Sequence, residues 1–137
     1  MTLLIMQQSQ KPLESGTALR MKRPFMICSR YDVVTVPFPF VDGSKTKKRP
    51  ALVLSNKEFN RNNHTILAMI TTKKEPAWPG DSQISDYADA GLRLPCLVRF
   101  KFFTLDNGLL QKKIGHLSQK DSNQIVKCLC SYLVDCG

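Results

Sequence analysis

Arg49 stands where a cationic run meets an apolar one. Lys45-Thr-Lys-Lys-Arg49 holds four basic residues in five, and Ala51-Leu-Val-Leu54 follows directly after Pro50. A guanidinium at that point stays charged at any working pH and can grip two phosphate oxygens at once. Such a fixed cation stabilises charge building on a phosphoryl group more in the transition state than in the ground state. On spacing alone, a surface arginine in a solvated basic run fits equally well. Thr71 follows a second apolar run, Thr65-Ile-Leu-Ala-Met-Ile70. Its hydroxyl can donate to the same phosphate or orient an attacking hydroxyl, or it can simply bond its own turn. Lys45, Lys47 and Lys48 before Arg49, and Lys73 and Lys74 after Thr71, could line the path of a polyanion, and solvated loops carry such lysines as well. Trp78 in a Pro-rich loop, and Phe38 and Phe40, are candidates to stack on unpaired bases. Phe38 or Phe40 is more often core, since alternate strand residues face inward.

The rest of the composition narrows the chemistry. The two histidines, His64 and His116, and the five cysteines offer no Cys-x-x-Cys, and the two-residue step from Cys128 to Cys130 is poor zinc-ligand spacing. A zinc site would have to be assembled from scattered residues, and reduced, mostly buried thiols are expected. There is no Gly-rich phosphate loop and no Gly-x-Ser-x-Gly. No apolar run is long enough to span a membrane, and the short apolar stretch Met1–Met6 lacks the flanks of a signal peptide, so a cytoplasmic location is expected. The formal net charge is +9. Residues 1–25 hold four basic against one acidic residue and the remainder sixteen against ten, so the body of the chain is basic by itself. That favours a polyanionic partner.

The elements that must position these residues are short. A length of 137 residues fits one domain. Residues 1–25 read as a mobile extension and 26–137 as the domain. Asp32-Val-Val-Thr-Val-Pro37 is a β-branched strand stopped by proline. Ala51–Leu54 predicts a strand buried on both faces, 56–63 a short helical turn, and 65–70 a third strand. Ser82–Ile84 predicts a short strand, 87–92 a turn, Cys96–Phe103 a long strand and Gln111–Ile114 an edge strand. The clearest helix is C-terminal. Ser118 caps it with Asp121 three residues on, a weak capping box, and Ile125, Leu129, Tyr132, Leu133 and Cys136 form one apolar stripe facing the core. Short strands closed by one helix predict a mainly β fold, a small β-barrel with a C-terminal α-helix.

Four segments, in this order, resemble one family. Asp32-Val-Val-Thr-Val-Pro-Phe-Pro-Phe40 is similar to the first strand of MazF/PemK-type toxins. Arg49-Pro-Ala-Leu-Val-Leu-Ser55 resembles their Arg-Pro-x-Leu-Val-x-Ser strand, and Ile70-Thr71-Thr72 their Ile-Thr-Ser turn. Phe103–Asp106 through Lys113-Ile-Gly-His-Leu-Ser118 resembles their late strand and the start of the last helix. The match covers roughly residues 30–134. The resemblance implies an SH3-like barrel that forms a homodimer, cuts single-stranded RNA such as mRNA with the ribose 2′-hydroxyl as nucleophile, leaves a cyclic phosphate, and needs no metal or cofactor. It implies inhibition by an acidic antitoxin protein. It makes Arg49 and Thr71 catalytic, and leaves Lys45, Lys47, Lys48, Lys73, Lys74, Trp78 and Arg99 as the RNA-binding set.

One segment departs from the family pattern. Some members carry Arg-x-Asp in the late strand, whereas here Arg99-Phe-Lys101 is followed by no acid before Asp106. Arg99 could face the site or turn away, because a one-residue slip swaps the faces of a strand. His64, Glu75 and Asp32 are substitute candidates for a general base. Two alternatives to an active ribonuclease follow: a catalytically inactive RNA-binding relative, and a protein-binding module, since barrels of this type also include toxins that grip DNA gyrase.

Overall fold

In the computed structural model, residues 26–37 and 47–136 are described. The expected extension 1–25, together with Phe38, Phe40 and Lys45, lies outside the described residues. β1 (Asp32–Pro37) and β2 (Lys48–Val53) form where the β-branched and apolar runs stand. A single helical turn, α1 (Lys57–Asn60), follows, capped by the Asn56 side chain accepting from the Phe59 amide at 2.9 Å. β3 (His64–Thr71), β4 (Ser82–Ile84), β5 (Cys96–Asp106) and β6 (Lys112–His116) complete the sheet, and α2 (Gln119–Tyr132) is the last regular element.

The strands lie antiparallel in the order β4-β5-β3-β2-β1-β6, a curled sheet that makes a half-barrel. Both faces are apolar. Val33, Leu52, Ala68, Ile70 and Val98 pack on one side with Leu117 and with Ile125 of α2. Val34, Val36, Ala51, Val53 and Leu67 pack on the other with Cys28 and Leu110. Alternation along β2 therefore sends every residue from Ala51 to Val53 into a core, which is why its sequence is continuously apolar. Fully burying one such side chain is worth about 1.5–3 kcal/mol.

β5 carries the main irregularity. Ala68 faces Phe102 but Met69 faces Arg99, so Phe100 and Lys101 are extra residues in β5. A bulge bends the strand and sharpens the local twist. The Phe100 ring stacks against Phe102 at 4.9 Å and meets the edge of Tyr132 at 5.9 Å. Gly80, at φ +87°, lies against that ring, where an added Cβ would come within 2.8 Å.

Three details of the C-terminus differ from the sequence expectation. Ser118 caps α2, accepting from the Asp121 amide at 3.2 Å. The Asp121 carboxylate does not turn back to complete a capping box. It accepts from the amides of Ser85 and Asp86 at 3.0 and 2.8 Å, pinning the loop after β4 to the positive end of the helix. The apolar stripe is core only in its first half. Ile125 is buried and Leu129 half-buried, but Tyr132 and Leu133 are 60% and 56% exposed. The chain leaves the helix at Leu133, and there Tyr132 meets only the edge of Phe100 while Leu133 lines an open groove. Nor are all thiols reduced. Cys28 and Cys96 are buried and Cys128 half-buried, whereas Cys130 and Cys136 form a disulfide. The turn at the helix end brings their Cα atoms to 5.4 Å, within bonding reach. None of the described helices is long and apolar enough to cross a membrane.

Candidate active site

Arg49 occupies the second position of β2, directly opposite Val36 of β1. On the other side of β2, Ala51 faces Met69 of β3. Two residues further along each antiparallel strand, past the last bonded pair, alternation gives Arg49 and Thr71 the same face as Ala51 and Met69. Thr71 faces Leu97 and Met69 faces Arg99 across the other side of β3, so Arg99 shares that face too. Arg49, Thr71 and Arg99 therefore project from one side of three adjacent strands. The bulge adds two residues rather than one, which preserves the alternation and settles which way Arg99 points.

These groups differ in what they already hold. Arg49 is half-buried and has no hydrogen-bond or ion-pair partner among the described residues. Its backbone is paired with Val36 of β1, so the guanidinium is presented from a strand. Thr71 is half-buried, and its Oγ1 accepts from the Lys73 amide at 3.1 Å. This is the local turn bond that strand-end threonines make. It orients the hydroxyl and leaves its proton free to donate.

Arg99 is already engaged. Its Nε donates to Asp81 Oδ1 at 3.1 Å and its Nη2 to Asp81 Oδ2 at 2.9 Å. Nη2 also reaches the carbonyls of Lys73 and Pro76 at 3.3 and 3.2 Å. The forked hydrogen bond from Arg99 holds the Asp81 carboxyl below the usual carboxylate range, and Asp81 in turn raises the arginine. Asp81 Oδ2 further accepts from the Trp78 amide at 3.0 Å. The Trp78 ring, 37% exposed, lies 5.3 Å from the Arg99 guanidinium and 5.8 Å from the Lys101 ammonium.

The candidate lysines are spread around the Arg49–Thr71 end of the sheet. Lys47 and Lys48 are exposed immediately before Arg49, with Lys48 opposite Pro37 and alternating to the other face. Lys73 and Lys74 are exposed just after Thr71. The candidate bases do not gather there. His64 lies at the far end of β3, facing Asp106, about 23 Å from Thr71 at roughly 3.3 Å per residue. Asp32 is buried at the far end of β1. It accepts from His116 Nδ1 at 2.8 Å and from the Ser29 amide at 2.8 Å, with Lys113 Nζ at 3.4 Å. Glu75 remains on the Thr71 side, exposed in the following loop. Among the described residues no three His, Cys, Asp or Glu side chains converge as metal ligands do.

Asp81 was not singled out by the sequence reading. Its only local signal is a position after Pro79-Gly80, which marks a turn and says nothing of an arginine on another strand. A separate apolar groove of about 420 Å³ opens between α1 and the end of α2, lined by Leu54, Phe59, Ile66, Phe102, Leu129 and Leu133.

Comparison with known proteins follows the same lines. Residues 29–133 match the family described as the PemK-like, MazF-like toxin of type II toxin-antitoxin systems. Solved structures share the fold. The Mycobacterium tuberculosis toxin MazF-mt6 superposes with a TM-score of 0.60 at 20% identity, covering 76% of this chain and 98% of that one. A mycobacterial endoribonuclease in complex with its cognate antitoxin gives 0.59 at 19% identity, covering 77% and 91%. A MazE-MazF structure from Deinococcus radiodurans gives 0.63 at 18% identity, covering 79% and 96%. A sequence search of curated proteins finds no match.

Proposed function

The chain belongs to the PemK-like, MazF-like toxin family of type II toxin-antitoxin systems, and from that premise we propose that it is a metal-independent endoribonuclease acting on single-stranded RNA. The 2′-oxygen attacks the adjoining phosphorus, the bond to the 5′-oxygen breaks, and a 2′,3′-cyclic phosphate remains. Arg49 binds the non-bridging oxygens as their charge builds. Thr71 donates to the same phosphate or orients the 2′-hydroxyl. Lys45, Lys47, Lys48, Lys73 and Lys74 carry the flanking phosphates, and Trp78 offers a stacking surface for a base. One observation carries the reading: alternation from the Ala51–Met69 pair gives the same sheet face to an alcohol and to a half-buried guanidinium with no partner among the described residues.

The deciding experiment is a gel assay on an unstructured RNA with EDTA present. The wild type should cleave it, and Arg49→Ala should lose cleavage while keeping its circular dichroism spectrum. A requirement for added metal removes the mechanism.

A second reading, an RNA-binding relative without activity, draws on the late strand, where Arg99 is held by Asp81 and Lys101 stands two residues on. It requires RNA to be bound with steep salt dependence and left intact. For partners, exposed Phe59, Leu133 and Val134 beside the apolar groove support a protein contact, either a second subunit of a homodimer or the apolar residues of an acidic antitoxin.

A further inference from the structure

We propose that Arg99 and Asp81 form a clamp that positions the 73–81 loop for RNA, so that Arg99 acts through the loop and not on the scissile phosphate. The inference rests on the ribonuclease reading for its functional consequence, but the clamp itself is a geometric matter. Arg99 spends its fork on both Asp81 oxygens and on the carbonyls of Lys73 and Pro76, and is only 8% exposed. Nε and Nη2, three of its five N–H groups, are committed in this way, which leaves Nη1 alone to reach outward. What it holds is the segment that joins Thr71 to β4. The Lys73 amide bonds Thr71 Oγ1 while the Lys73 carbonyl bonds Arg99, so one peptide segment links the clamp to the candidate catalytic alcohol. At the other end, Asp81 ties down the Trp78 amide, and Arg99 lies beside the Trp78 ring. Without the clamp, Lys73, Lys74 and Trp78 would sit on an exposed loop tethered only at its ends. Ordering that loop would then fall on RNA binding.

The test reads the loop and the reaction separately. Trp78 is the only tryptophan, so its fluorescence reports the loop with or without RNA. Asp81→Asn and Arg99→Lys should each increase acrylamide quenching of Trp78. Each should raise KM about tenfold while kcat stays within about threefold, because positioning of the substrate path is lost and the reacting groups are kept. The double variant should be no worse than either single one. Hydrogen exchange on the wild type covers the case of a variant that fails to fold: the Trp78 amide should exchange more slowly than those of Lys74 and Glu75. Unchanged quenching in both variants, or equal exchange at the three amides, overturns the clamp. A fall in kcat at constant KM for Arg99→Lys, with Asp81→Asn silent, overturns it in favour of direct phosphate contact. Absence of cleavage by the wild type removes the ribonuclease reading alone, since quenching and exchange still decide the clamp.

Discussion

Arg49 near the start of β2 and Thr71 at the end of β3 each lie two residues beyond the Ala51–Met69 pair, and alternation gives both the face that this pair shares. The relationship joins residues 22 positions apart through strand register, whatever path the connecting segment 54–63 takes. Register of this kind is firm because a one-residue slip would expel Ala51 and Val53 from one core and Leu52 from the other.

The alcohol should matter as a donor. Thr71→Ser is expected to keep single-turnover cleavage within about threefold, while Thr71→Val lowers it by about 10–100-fold, at the lower end of what a lost transition-state hydrogen bond costs. Equal rates for the two variants would remove Thr71 from the reaction.

The lysines after Thr71 should act through charge. For a short single-stranded RNA made uncleavable by 2′-deoxy substitution, Lys73→Ala and Lys74→Ala should each reduce the slope of log Kd against log salt by about 0.7. Fluorescence anisotropy across a salt series measures it, and an unchanged slope places that lysine off the path.

Acid should release the clamp only well below neutrality. The folded Asp81 carboxyl titrates below its unfolded value of about 3.9, so its contribution to stability is full above that value and declines as pH falls through the lowered one. The stability gap between wild type and Asp81→Asn, from urea midpoints, should be flat from about pH 5 to 8 and close below about pH 4. A gap that closes between pH 6 and 8 would point to another group.

Thiol labelling should sort the cysteines by environment. Burial pushes the Cys28 thiol up to about 11, with Asp32 adding to the rise, and burial also raises Cys96. Both stay protonated and covered at neutral pH, and the thiolate is the reactive form. Iodoacetamide on the native oxidised protein should modify Cys128 alone, and reductant should add Cys130 and Cys136, as read by peptide mass spectrometry. Ready labelling of Cys28 without denaturant contradicts this packing.

A buried polar network braces the end of the sheet away from Arg49. Thr65 Oγ1 donates to Asn107 Oδ1 at 2.6 Å, Asn107 Nδ2 donates to the Asn60 carbonyl at 2.7 Å, and Asn60 Nδ2 donates to the Cys28 carbonyl at 2.8 Å. Asn107→Ala leaves a buried hydroxyl and a buried carbonyl short of partners, and is expected to lower stability by about 2–5 kcal/mol in chemical denaturation. Exposed Asn62→Ala, by comparison, should stay within about 0.5 kcal/mol.

How far each feature could be read from the sequence depended on the range of the forces behind it. Asp32–Pro37, Ser82–Ile84, the turn at Lys57–Asn60 and the Ser118 cap follow from β-branching, proline, alternation and a capping side chain, all acting within a few residues. The positions of Arg49 and Thr71 at strand ends were legible for the same reason. The partners of Arg99, the Asp121 bonds to Ser85 and Asp86, and the separation of His64 and Asp32 from Thr71 were not, because each depends on which strands lie side by side. The late strand shows the difference most directly. Sequence alone left Arg99 free to face either way. A two-residue bulge kept it on the Thr71 face, and an aspartate 18 positions away took up its charge. Local propensity determined which residues became strands; the pairing of those strands, through register and hydrogen-bond satisfaction across the chain, decided which side chains meet.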